Sequence, residues 1–251
     1  MTGPRVEVAA TSADLAGRAA EIVITAAQEA AAAQGRFAIA LSGGRTPRML
    51  YRRLAHAGPS ALPYDRTHIF WSDERAVPPG DEYSNFRLAH AVWLAQVSIP
   101  AGQVHRIRGE DDPDVAAGRY EDLIRNVLGD PPRFDLILLG VGRDGHTASL
   151  FPGAPPPPAG RLVVRATAPA HPRRRITFTP ELIALADRVL VLVSGAEKAR
   201  AVRRALQGPP SAVPAGRLRG PRVHWLLDAD AAALLEDPPV QPCNATAPAA
   251  T

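Results

Sequence analysis

The chain has 251 residues, 46% of them hydrophobic and 22% charged, enough to bury a full core as one large domain or two small ones. Its formal charge of +4 rests on scattered arginines, and with aromatics at 5% and no basic helix interleaved with rings, nucleic acid is excluded as an expected partner. One cysteine, Cys243, excludes an intrachain disulfide or thiolate zinc site, "MTGPRVEVAATSADLAGRAA" lacks a leader's apolar core, and no segment approaches a bilayer span, so the expected setting is cytoplasmic, with no membrane partner.

In chain order, "RVEV" (5–8) reads as a short strand and residues 12–35 as a helix, with Ser12 as its N-cap and Gly35 as its stop. "FAIAL" (37–41) is a buried strand by its unbroken apolar character, leading through "SGGRTP" into a helix over 48–58. "THIFW" (67–71) is the next strand, followed by a polar loop over 72–85 and a helix over 86–96. "VHRI" (104–107) reads as a short strand, residues 113–129 as a helix opened by proline, and "FDLILLG" (134–140) as a strand. "RLVVRA" (161–166), "RRITFT" (174–179) and "RVLVLVSG" (188–195) are further strands, and residues 196–208 a helix. "RVHWLLD" (222–228) and "AAALLE" (231–236) close the fold. The alternation predicts an α/β protein with a mainly parallel sheet and helices on both faces. One domain over 1–236 is expected, with 237–251 a loose tail.

After "FDLILL", residues Gly140, Gly142 and Gly145 spell G-x-G-x-x-G, the glycine turn of dinucleotide-binding units. That site needs a crossover helix and an acid roughly 20 positions on. Here Pro152 and the run Pro155 to Pro158 forbid the helix, and no acid lies between Gly145 and Glu181. What remains is Asp144 and His146 in a flexible turn at a strand end, where open α/β sheets bind ligands. Such a pair suits acid–base chemistry; the plainer alternative is that Asp144 caps a short helix and His146 decorates the surface.

Three other strand ends carry polar groups. Ser42, Gly43, Gly44 and Thr46 form a turn whose glycines admit a ligand and whose following helix offers free amides to a phosphate. The alternative is a tight turn with Thr46 as N-cap. "THIFW" opens into Asp73, Glu74 and Arg75, a cluster that could equally be a solvated loop. Lys198, the only lysine, falls in a first helical turn, where it opposes the dipole and invites an anion. No G-x-S-x-G or H-E-x-x-H is present, so neither a serine nucleophile nor a metal is called for.

Taken together, "LSGGRTP", "SDERAVP…SN", "LLGVGRDGHTASLFPG" and "RRITFTPELIALADRVLVLVSGAEKARAV" resemble the 6-phosphogluconolactonases, the lactone hydrolases of the oxidative pentose phosphate pathway. The motifs stand in family order over about residues 40–236. The resemblance implies a modified Rossmann-like α/β fold shared with glucosamine-6-phosphate deaminases, no metal or organic cofactor, and a phosphorylated sugar lactone as substrate. By position His146 matches the family's catalytic base and Asp144 the acid beside it. Ser42, Gly43, Gly44 and Thr46 match the substrate-cradling turn, Asp73, Arg75 and Asn85 the second loop, and Arg175 and Lys198 basic residues of the phosphate region. The tetraproline after Gly153 and the trio Arg173, Arg174 and Arg175 depart from the pattern, leaving open which arginine dominates phosphate binding. A monomer is the expectation, with an oligomer left open.

Two alternatives accompany this reading. The sister deaminase–isomerase shares "SGG.TP", "DE" and "DGH" but continues with a glutamate five residues after the histidine, where this chain has Phe151. A non-catalytic sugar-phosphate sensor would share the fold, yet no helix-turn-helix precedes Val6 or follows Glu236, and such a sensor has no use for both Asp144 and His146.

Overall fold

The computed structural model describes residues 3–236 and the pair Gln241–Pro242. β1 (Arg5–Ala9) leads into α1 (Ser12–Gln34), β2 (Phe37–Leu41) into α2 (Arg45–His56), and β3 (Thr67–Trp71) into the three-residue β4 (Asp73–Arg75). Then come α3 (Asn85–Val92), α4 (Pro113–Leu128), β5 (Leu136–Gly140), β6 (Val163–Thr167), β7 (Arg174–Phe178) and α5 (Pro180–Ala184). β8 (Val189–Val193), α6 (Ala199–Gln207), β9 (Val223–Asp228), α7 (Ala229–Ala232) and β10 (Gln241–Pro242) complete it.

Seven strands form one sheet in the order β10-β1-β9-β8-β5-β2-β3, every pairing parallel. All five residues of β2 and all five of β8 are buried, as continuous apolar strands covered on both faces must be. By the right-handed crossover rule, α1 and α2, which pack together, fall on one face, and α4 and α6, whose connections run the other way along the strand order, on the opposite face. From β2 the chain steps outward to β3, then returns to β5 on the other side of β2. The order reverses there, so the carboxyl ends of β2 and β5 flank the crevice where α/β sheets receive ligands. A second, antiparallel sheet, β4-β7-β6, stands beside that crevice. Both sheets feed one core, in which Trp71, Trp93 and Trp225 are fully buried. Among the described residues no helix is long and apolar enough to cross a membrane.

Several expectations are corrected. The N-cap of α1 is Thr11, not Ser12: its hydroxyl accepts from Asp14 N at 3.2 Å while Asp14 Oδ2 accepts from Thr11 N at 3.1 Å, a reciprocal box that Ser12 has no partner to form. Gly35 does end the helix, in the left-handed region at φ 76°. "VHRI" is no strand; only Val104 bridges to Ile69, because this segment runs along the sheet's last strand and leaves it at once. The loop 72–85 contains β4, which exists because β7 supplies its backbone partners. α2 starts at Arg45, α5 was not foreseen, and the 196–208 helix splits into a 3-10 turn, Ala196–Lys198, followed by α6. The closing segment "AAALLE", given no element type from the sequence, opens within the short α7, which ends at Ala232. Of the stretch expected to be a loose tail, Gln241–Pro242 pairs with β1 as an edge strand, a place where proline's missing donor is tolerated; the rest lies outside the described residues.

Candidate active site

The β2–α2 turn is held from below. Tyr51, fully buried in the second turn of α2, donates to Ser42 O at 2.6 Å and accepts from Ser42 N at 3.2 Å. Gly44 occupies the N-cap position with no side-chain bond, so the first amides of α2 stay free. Thr46 therefore sits inside the first turn and does not cap it. The buried Ser42 Oγ has no hydrogen-bond partner. Gly43 must be glycine: a Cβ there would lie 1.8 Å from Asn85 Oδ1, because the Asn85 amide rests directly on the turn.

Asn85 is delivered by Glu74. That buried carboxylate accepts from the backbone N–H groups of Asn85 and Phe86, both at 2.8 Å, and from Ser84 Oγ at 3.0 Å, pinning the start of α3 to β4. Burial pushes the Glu74 carboxyl up, and those amides pull it part of the way back. Asn85 Nδ2 donates to Asp73 O at 2.9 Å and to Asp73 Oδ1 at 3.2 Å, while its Oδ1 accepts from Arg75 Nη1 at 2.5 Å. Pairing of β4 with β7 sets Arg75 directly across from Arg175. Like charges so opposed are unfavourable. Their hydrogen bonds nevertheless go to neutral oxygens, those of Tyr83 and Asn85 for Arg75 and of Pro172 for Arg175. Burial and then Arg75 press the Arg175 guanidinium below its usual range, with Asp73 and Glu74 opposing. An anionic ligand would relieve both.

β5 ends in the turn that carries Asp144 and His146. His146 Nδ1 lies 2.6 Å from Asp144 Oδ1, which also accepts from His146 N at 3.1 Å. Burial raises the Asp144 carboxyl, but the His146 amide and ring outweigh it and hold it below the ordinary carboxylate range. A Cβ on Gly142 would stand 2.1 Å from the imidazole and 2.6 Å from Asp144 Oδ1, so the pair occupies space only glycine leaves. Phe151 closes one side of the ring at a centroid distance of 4.8 Å. No helix follows β5 before β6, as the prolines require.

The fourth turn follows β8. Buried Asp228, at the end of β9, accepts from Ser194 Oγ at 2.5 Å and from Gly195 N at 3.1 Å, fixing the turn that presents Lys198. Lys198 ends the 3-10 turn and stands at the N-cap of α6, one residue before the helix and not within its first turn. Burial lowers its ammonium, Glu197 pulls it back, and Arg143 and Arg45 press it down, leaving it below the usual lysine range. Glu197 itself bridges to Arg45 across the mouth.

These four turns and β7 surround one cleft of about 810 Å³, lined by all eleven residues singled out in the sequence: Ser42, Gly43, Gly44, Thr46, Asp73, Arg75, Asn85, Asp144, His146, Arg175 and Lys198. A larger cleft of about 1230 Å³, walled by the proline run, contains none of them. Two of the lining residues carry a buried polar atom without a hydrogen-bond partner, Ser42 Oγ and Arg75 Nε. Among the described residues no group of His, Cys, Asp and Glu is placed to hold a metal ion. Sequence reasoning missed Tyr51, Ser149 and Asp228, which support the site from beneath, and gave Glu74 no part in placing Asn85. Only Tyr51, one helical turn beyond Pro47 on an apolar face, carried a local hint.

The sequence pattern described as glucosamine-6-phosphate isomerases/6-phosphogluconolactonase matches residues 10–225, most of the chain. The chain belongs to that family. It is 41% identical over 238 residues to a 6-phosphogluconolactonase of Synechocystis sp., covering 91% of this chain and 97% of that one. Among solved structures it resembles the 6-phosphogluconolactonase from Trypanosoma cruzi, with a TM-score of 0.81, 29% identity, and 92% and 97% of the two chains covered. It also resembles a monomeric glucosamine-6-phosphate deaminase, with a TM-score of 0.79, 25% identity, and coverage of 92% and 100%. The family thus includes both chemistries, and the cleft must discriminate between them.

Proposed function

We infer that this chain hydrolyses 6-phospho-D-glucono-1,5-lactone to 6-phospho-D-gluconate, with His146 as the general base toward water. The observation that carries the reading is the Asp144–His146 pair at the switch point of the sheet, 2.6 Å apart with Phe151 against the ring. An ionised carboxylate only accepts, so the shared proton belongs on Nδ1 and Nε2 is left as the base. A six-membered lactone is an activated ester. Water loses its proton to Nε2 as it attacks the carbonyl carbon, and the imidazolium, held by Asp144, returns that proton to the departing ring oxygen. Asp144 orients and stabilises the cation without itself carrying the proton.

The phosphate has its own partners. The free amides of α2, the Ser42 and Thr46 hydroxyls, and the cations Arg75, Arg175 and Lys198 offer donors for a dianion whose binding fixes the ring over His146. Phe151 supports hydrolysis over deamination, since the residue packed on the histidine is apolar where the deaminases carry a glutamate. We read the protein as a cytoplasmic monomer. Among the described residues the exposed large hydrophobic side chains are Tyr83, Val115 and Leu234.

Hydrolysis of freshly prepared phosphorylated lactone, with spontaneous opening subtracted, tests the assignment. Each lost charge-assisted contact is worth about 1.5–3 kcal/mol. The kcat/KM for plain gluconolactone should therefore be lower by at least ~10-fold. Equal values for the two lactones, or no acceleration of either, would overturn the reading.

A further inference from the structure

Asp73 lines the cleft, but both of its carboxylate oxygens are already engaged. Oδ1 accepts from Asn85 Nδ2 at 3.2 Å, and Oδ2 accepts from Ser149 Oγ at 2.6 Å. Ser149 is 2% exposed and Asp73 7%, so the contact is shielded from solvent, where a hydrogen bond to a charged group counts most. Ser149 is three positions beyond His146 and 76 beyond Asp73 in the chain. Its own amide donates to Thr177 Oγ1 at 3.1 Å, and Thr177 is the cross-strand partner of Asp73. The intervening Ala148 has φ 47°, a left-handed conformation that alanine adopts only when its surroundings enforce it. The histidine turn is therefore fastened to the small sheet at Ser149.

We propose that Ser149 is a positioning residue for substrate binding, which acts through Asp73 and Asn85 to hold Arg75 at a fixed place relative to His146. The path is continuous: Ser149 Oγ to Asp73, Asp73 to the Asn85 amide, and the Asn85 oxygen to Arg75 Nη1 at 2.5 Å. Asn85 has little freedom, lying against Gly43 below and pinned by Glu74 at its backbone. Without the Ser149 hydroxyl, one oxygen of Asp73 loses its donor, and the carboxylate can turn away from Asn85 to seek another. The Asn85 amide is then held by Asp73 O alone, and of the two neutral acceptors of Arg75, Asn85 Oδ1 is loosened while Tyr83 O remains. His146 is disturbed less, because the Ser149 amide still bonds Thr177 after the hydroxyl is gone.

The inference rests on Arg75 binding the substrate's phosphate, and a double-mutant comparison separates the two claims. Ser149→Ala should raise KM for the phosphorylated lactone by about 10- to 100-fold, the loss of one buried charge-assisted contact, and change kcat by less than ~3-fold. In an Arg75→Ala background the same substitution should alter KM less than ~2-fold, because the residue it acts through is gone. Ser149→Cys, which keeps a side chain of the same shape with a larger, weakly donating sulfur, should reproduce the KM rise and provides a second variant if Ser149→Ala fails to fold. Equal KM effects of Ser149→Ala in both backgrounds would mean a general packing role and overturn the proposal. So would an unchanged KM in the Ser149→Ala and Ser149→Cys single variants. If Arg75→Ala alone leaves KM unchanged, the phosphate role of Arg75 fails first and the proposal with it.

Discussion

Lys198 is one of the cations proposed to meet the substrate's phosphate. It is half-buried, pressed by Arg45 and Arg143, and placed at the positive end of α6, three influences that disfavour its charge until an anion arrives. Lys198→Ala should therefore raise KM for the phosphorylated lactone about tenfold or more while leaving any turnover of plain gluconolactone within ~2-fold. Steady-state kinetics on both substrates checks this, and equal impairment on both would make Lys198 a structural residue. At this scale the sequence was informative where a residue's chemistry shows in its immediate neighbours, as with Asp144 and His146 two apart in a glycine turn. It was silent on Ser149, whose partner lies 76 positions away, and on Asp228, whose partner Ser194 lies 34 away. Nothing local marks a serine as the donor to a distant buried acid.

The elements that align the site are short, and their partners decide whether they exist. β4 has three residues in a stretch followed by prolines, with too few positions for alternation to register, and becomes a strand through β7. The segment 104–107 shows the converse. It reads as a short strand, yet it touches β3 at one bridge and turns its polar group inward: His105 stacks on His68 at 5.3 Å and on Phe70 at 4.4 Å, with His68 Nδ1 and His105 Nε2 3.0 Å apart. Burial, and then His68, lower His105 to about 4. An unfolded histidine binds its proton near pH ~6.5. Between those values the unfolded chain carries a proton that the folded one excludes, so stability falls as pH drops through that window. The dependence approaches ~1.4 kcal/mol per pH unit for one proton. Chemical denaturation of the wild type and of His105→Phe, which keeps the stack, should show a smaller loss for the variant between pH 6.5 and about 4. Identical slopes would contradict the lowered value.

Across the whole molecule, the parallel sheet was readable because five-residue apolar strands such as β2 and β8 leave no other placement than a covered interior. The reversal of strand order between β3 and β5 was not written in any single segment, since it depends on which strands pair. That reversal gathers four turns, distant in the chain, around one cleft; Arg45 and Glu197, which bridge its mouth, are 152 apart. The groups proposed to hold the phosphate and the histidine thus come from different turns, so that binding and chemistry should be separable by substitution. His146→Ala is the most direct test. The account predicts that kcat for 6-phosphogluconolactone falls by about 10²–10⁴ while KM changes little, since the phosphate contacts lie on other elements. Turnover within a few-fold of wild type would show that another group takes the proton from water, and would contradict the mechanism.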